Sequence, residues 1–122
     1  MKQNEKFKIL IVDDSEMVRN FHSYILKMFG YDVSTAENGA VALEKLLTGS
    51  YHLLITDINM PKMDGYELIY NVHAQGIDIP IIIVSTEEEL RCSNNGINTN
   101  CGIHMVKPTD PEKLVSTVRR LL

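Results

Sequence analysis

The stretch "LLITDINMPKMDG" runs from Leu53 to Gly65. Its first four residues are apolar or β-branched, and four residues are too few for a helix. A continuous apolar run without alternation suits a strand covered on both faces. The run stops at Asp57, and Met60-Pro61 and Asp64-Gly65 then supply turn chemistry. A carboxylate there either opens a turn or works at the open end of a buried strand. The rest of the chain decides between the two.

The same pattern recurs at Lys8 to Val12 ("KILIV"), Ile81 to Val84 ("IIIV") and, more weakly, His104 to Val106 ("HMV"). Tyr31 to Ala36 ("YDVSTA") alternates more and reads as an edge strand. Helical patterns lie between the runs. Val18, Phe21, Ile25 and Met28 form one stripe ending at Gly30, and Ala40, Leu43 and Leu47 a second ending near Gly49. Leu68, Ile69 and Val72 mark a third, ended by Gly76. In the last helix Asp110 can cap and Pro111 fits the first position. Leu114, Val118 and Leu121 line one of its faces, and Arg119 and Arg120 suit its C-terminal dipole. The segment Glu87 to Asn100 is the poor one. Its Asn94, Asn95, Gly96, Asn98 and Asn100 cost a helix roughly 3 kcal/mol relative to alanine, so mobility is expected around Ser93 to Asn100. Strand alternating with helix predicts a single α/β domain over residues 1–122. It is a doubly wound parallel sheet with helices on both faces.

The chain of 122 residues can bury one core without staples. Net charge is −4, from 12 basic and 16 acidic residues. That balance argues against direct nucleic-acid binding and against a polybasic membrane surface. No run of about 18 apolar residues suggests a membrane span. The start "MKQNEKFKILIVDD" lacks a secretory pattern, so a cytoplasmic location is expected. Cys92 and Cys101 match no metal or redox spacing, and on one helix they would lie about 180° apart. They read as reduced thiols. His22, His52, His73 and His104 are too scattered for a zinc site.

In open parallel sheets, ligands bind beyond the carboxyl ends of the strands. Asp13 and Asp14 follow the first run, Asp57 the third, Ser85 and Thr86 the fourth, and Lys107-Pro108 the fifth. Each has a plain alternative: Asp13-Asp14-Ser15 can cap a helix, Asp57 can start a turn, and Lys107 can be surface. One site accounts for all of them together. Three carboxylates repel unless a cation intervenes, and Lys107 supplies one positive charge. A hard ion such as Mg²⁺ fills the deficit. Metal, lysine and hydroxyl together can hold a phosphoryl group, and a central carboxylate can attack phosphorus. No Gly-rich loop follows the first strand, which argues against a nucleotide cradle.

In "ILIVDDSEMVR", "AENGAVAL", "LLITDINMPKMDGYEL", "PIIIVST" and "VKP", in that order, the chain resembles the receiver domain of two-component response regulators, including chemotaxis regulators. The resemblance covers about Lys8 to Leu122. It implies a flavodoxin-like five-stranded sheet of order 2-1-3-4-5. It implies Asp57 as phosphoacceptor, and Mg²⁺ held by Asp13, Asp14, Asp57 and the Asn59 backbone carbonyl. Lys107 would contact the phosphoryl group, with a cis bond to Pro108, and Ser85 would be the switch hydroxyl, ahead of Thr86. Met60-Pro61 and Gly65 would shape the loop after the acceptor. Asn59 and Glu87 would set phosphoryl-group lifetime. The implied phosphodonor is a sensor histidine kinase or phosphotransfer protein. The implied effector surface is the fourth helix, fifth strand and fifth helix.

Two features depart from the family. His104 stands where Tyr or Phe is usual, and is expected to swing as the switch ring or to sit as a static edge histidine. The Asn-rich segment replaces an alanine-rich fourth helix. A signalling module rather than an enzyme is expected, with no output domain in the chain. An Mg²⁺-dependent phosphohydrolase with an aspartyl-phosphate intermediate is one alternative, although such enzymes set their two acids two apart after the first strand. A pseudo-receiver that is never phosphorylated is another. A flavin-binding relative is excluded by the acidic strand ends.

Overall fold

A computed structural model describes residues 6–86 and 103–122. Five strands carry the sheet: β1 (Lys8–Val12), β2 (Asp32–Ala36), β3 (Leu53–Asp57), β4 (Ile81–Ser85) and β5 (Ile103–Val106). Four helices accompany them: α1 (Glu16–Met28), α2 (Gly39–Thr48), α3 (Gly65–Ala74) and α4 (Pro111–Leu121). The segment Glu87 to Asn100, the place of the expected fourth helix, lies outside the described residues, so the last helix is α4.

All four strand pairs are parallel, in the order β2-β1-β3-β4-β5. β2 is an edge, as its alternation implies. β3 and β4 are buried at every residue, as their unbroken apolar runs require. Strand alternation divides the core into two layers. Leu10, Val12, Leu54 and Ile83 pack towards α2 and α3, against Ala42, Leu46, Leu68 and Val72. Ile9, Ile11, Ile55, Ile82 and Met105 pack towards α1 and α4, against Ile25, Leu26, Leu114 and Val118.

The helix ends follow from local chemistry. Ser15, Asn38, Asp64 and Asp110 are N-caps, and Asp64 with Glu67 closes a full capping box. Gly30 and Gly76 take positive φ where α1 and α3 end. Two expected stripes are corrected. On α1 the buried positions are His22, Ser23, Ile25 and Leu26, whereas Phe21 and Met28 are exposed. On α2 they are Gly39, Ala42 and Leu46, Leu47 is exposed and Ala40 faces outward. In both helices the face that meets the sheet contains small or polar residues, and large apolar residues are left outside. The stripes of α3 and α4 stand.

Candidate functional site at the carboxyl ends of the strands

Positions 9 and 11 of β1, 53 and 55 of β3, and 105 of β5 all face the α1/α4 layer. Continuing the two-residue period past the strand ends puts Asp13, Asp57 and Lys107 on that side. The three side chains meet there. Lys107 Nζ lies 3.2 Å from Asp13 Oδ2 and 3.2 Å from Asp57 Oδ1. Asp57 Oδ1 also accepts the Ile58 N–H at 2.8 Å, and Asp13 Oδ1 accepts the Ser15 N–H at 2.9 Å. Asp13 and Asp57 are buried. Asp14 is exposed, yet one carboxylate oxygen from each of Asp13, Asp14 and Asp57 lies within 4.8 Å of the other two.

Two backbone features hold the frame. The Lys107 N–H donates to the Ser85 carbonyl at 2.8 Å, and the Lys107–Pro108 bond is cis. On the other side, the Gly65 N–H donates to the Ile58 carbonyl at 2.7 Å. A Cβ at Gly65 would run into the Asp57 carbonyl and the Ile58 backbone. Only glycine lets the start of α3 press this closely on the loop after Asp57.

The electrostatics match the crowding. Burial and the neighbouring Asp13 push the Asp57 carboxyl up from 3.8 to about 6, with Lys107 pulling the other way. For Lys107, burial lowers the pKa, but Asp13 and Asp57 outweigh it and hold the ammonium above its usual range. Three carboxylates against one ammonium leave two negative charges uncompensated. An oxygen-only donor set carrying that deficit fits a hard divalent cation. The three oxygens, all within 4.8 Å of one another, are near enough for one such ion to gather them by side-chain movement.

The remaining expected residues are placed as follows. Ser85 ends β4 with its side chain fully buried, and among the described residues its hydroxyl has no hydrogen-bond partner. An unpaired buried hydroxyl costs about 1–3 kcal/mol, so this one is poised to gain from a new acceptor. Thr86 is exposed and lines a cleft of about 500 Å³ with Met17, Phe21, Lys107 and Pro108. Asn59 is exposed two residues after Asp57. His104 points away from the core, on the opposite side of β5 from buried Met105, and partial burial lowers its pKa. Glu87, Cys92, Cys101 and the segment 93–100 lie outside the described residues.

Sequence reasoning missed two residues on α1. Arg19 Nη1 donates to the Asp13 backbone carbonyl at 2.7 Å. His22 is buried, with Nε2 2.6 Å from Thr109 Oγ1. A partner 87 residues away leaves no local signal.

A family model, "Response regulator receiver domain", matches residues 9–119. The chain belongs to this family. Among curated relatives, the "Probable transcriptional regulator ycf27" of Cyanidium caldarium is 35% identical over 122 residues, covering 99% of this chain and 49% of the relative. The chain spans about half the length of such relatives. Among solved structures, the chemotaxis response regulator CheY4 of Vibrio cholerae superposes with a TM-score of 0.85 at 35% identity. That match covers 97% of this receiver and 100% of CheY4. The response regulator TrrA of Thermotoga maritima, solved in complex with Mg²⁺-BeF, gives 0.85 at 31% identity, covering 95% and 99%. The flavodoxin-like sheet order and the two-component receiver assignment therefore stand as the sequence implied. Among the described residues, no helix is long and apolar enough to cross a membrane.

Proposed function

We propose that this receiver accepts a phosphoryl group on Asp57 from a histidine-phosphorylated protein, and that the new charge resets its signalling surface. The observation that carries the reading is the meeting of Asp57 with Asp13 and Lys107 at 3.2 Å contacts beside Asp14. In the step itself, an Asp57 carboxylate oxygen attacks phosphorus. An O–P bond forms as the P–N bond of the donor phosphohistidine breaks, and the imidazole nitrogen keeps the electron pair.

Asp13, Asp14, Asp57 and the Asn59 carbonyl are assigned to Mg²⁺. TrrA, whose solved structure carries Mg²⁺-BeF, supports the choice. When bound, the ion neutralises charge on the transferring group and its oxygens. Lys107 neutralises a further phosphoryl oxygen, and the Asp13 and Asp57 carboxylates keep its ammonium charged against the pull of burial. Ser85 donates its buried hydroxyl to the same group. That inward movement biases a two-state element, the face containing β5 and α4. His104, on the exposed side of β5, is the candidate ring for it, and Asn59 and Glu87 are the candidates for setting lifetime.

The donor approaches over the 500 Å³ cleft beside Lys107, whose rim carries the exposed Met17 and Phe21. Apolar side chains next to a charged floor suit a helix that presents a phosphohistidine. The reading treats residues 1–122 as one receiver module in the cytoplasm, accepting one group per cycle rather than turning over a substrate. The test is incubation with Mg²⁺ and a small phosphodonor, followed by intact mass. One phosphoryl group should add to the wild type and none to Asp57→Asn or to the wild type in EDTA. Equal labelling of Asp57→Asn would overturn the assignment.

A further inference from the structure

We propose that His22 is a positioning residue. Through Thr109 it fixes the turn that carries Lys107, and so sets the ammonium between Asp13 and Asp57. The inference rests on the function proposed above and adds a residue to it.

Thr109 lies two residues beyond Lys107, and the two are joined through the cis peptide to Pro108. Its hydroxyl is buried against α1, 2.6 Å from His22 Nε2. Burial lowers the His22 pKa, outweighing the nearby Asp13, and Lys107 lowers it further. The neutral imidazole is therefore favoured, and one hydrogen lies between Nε2 and Thr109 Oγ1, donated by either according to the tautomer. Arg19 stands three residues earlier on the same side of α1 and holds the Asp13 carbonyl at 2.7 Å. α1 thus grips both ends of the Asp13–Lys107 ion pair, one through each side chain. The stem of Lys107 is otherwise fixed by a single described backbone bond, Lys107 N–H to the Ser85 carbonyl. A lysine side chain has four rotatable bonds, and an error of about 1 Å in a reacting group can cost on the order of 10²-fold. A second anchor on the far side of Pro108 is what the placement of Nζ requires.

The pair is invisible to a reading of motifs. A lone histidine on a helix is an ordinary core residue, and Thr109 on its own reads as loop. Contact between them puts a polar clamp next to the ion pair, in a position where an apolar contact would suffice for packing alone.

The test compares Thr109→Val, which keeps the shape and removes the hydroxyl, with Thr109→Ser, which keeps the hydroxyl. The readouts are the rate of Asp57 labelling by a small phosphodonor with Mg²⁺ and the Mg²⁺ affinity measured by tyrosine fluorescence. Thr109→Val and His22→Phe are expected to slow labelling about tenfold, and Thr109→Ser to restore at least half the wild-type rate. Mg²⁺ affinity should stay within about twofold, because Lys107 is not among the proposed ligands. In a Lys107→Ala background, Thr109→Val should cause no further loss. Wild-type labelling rates in Thr109→Val would overturn the proposal. So would an equal further loss in the Lys107→Ala background, since the effect would then not run through Lys107. If His22→Phe fails to fold, the Thr109 pair decides alone. Failure of the wild type to label at all would strike the phosphoacceptor reading, a different outcome from unchanged rates in the variants.

Discussion

Replacing Asp57 by Asn should stabilise the metal-free protein, by an amount that depends on pH. The Asp57 carboxyl is raised from 3.8 to about 6 in the folded protein, chiefly by burial and by Asp13. Between those values the folded state binds a proton that the unfolded chain has released. Folding stability is therefore fully present below 3.8 and falls as pH rises through about 6. The shift of about 2.2 units corresponds to roughly 3 kcal/mol by pH 7.5. The amide of Asn mimics the protonated carboxyl and escapes this loss. The Asp57→Asn gain should be about 3 kcal/mol at pH 7.5 and about 1 kcal/mol at pH 4.5, where most of the folded protein is already protonated. In a chain of this size, 3 kcal/mol shifts Tm by roughly 10 °C. The assay is denaturant unfolding of both proteins in EDTA across that pH range. Added Mg²⁺ should then stabilise the wild type and narrow the gap, because the ion binds the folded wild type preferentially. A gain of equal size at both pH values, or a variant less stable than wild type at pH 7.5, refutes the electrostatic reasoning.

Further perturbations should separate charge from packing. Lys107→Ala removes both 3.2 Å contacts, so the Asp57 carboxyl should titrate above about 6, read by NMR, and labelling should slow by roughly 10²-fold. Gly65→Ala forces a Cβ against the Asp57 carbonyl and should cost about 1–3 kcal/mol of stability in denaturant unfolding, while reducing labelling. Leu114→Ala empties a fully buried position between α4 and the sheet and should cost about 2–5 kcal/mol in the same assay, with Mg²⁺ affinity preserved. Asp14→Ala, at an exposed position, should weaken Mg²⁺ binding in a fluorescence titration while changing stability by no more than about 0.5 kcal/mol.

The sheet and its working edge were legible because the signals are local. Runs such as "KILIV" and "IIIV" are buried on both faces, and only strands between two helix layers use apolar residues so continuously. Asp13, Asp57 and Lys107 stand one residue beyond such runs or at their ends, so topology alone brings them together. Helix phase was less legible. The reading of α1 followed Phe21 and Met28, yet the sheet receives His22, Ser23, Ile25 and Leu26. A pattern of apolar residues cannot show that a helix buries a histidine and exposes a phenylalanine. The reasons lie elsewhere in the chain: Thr109 for His22, and the open cleft beside Lys107 for Phe21. The Ser85 hydroxyl, buried with no partner among the described residues, is likewise a property of the assembled site and has no counterpart in sequence.

The most direct test of the central claim is to locate the acceptor chemically. The wild-type protein is treated with a small phosphodonor and Mg²⁺, reduced with borohydride to trap any aspartyl phosphate as homoserine, digested and sequenced by mass spectrometry. Homoserine at position 57, and at no other aspartate, is the predicted result. Homoserine at another aspartate, or none at all under conditions that label a known receiver, would contradict it.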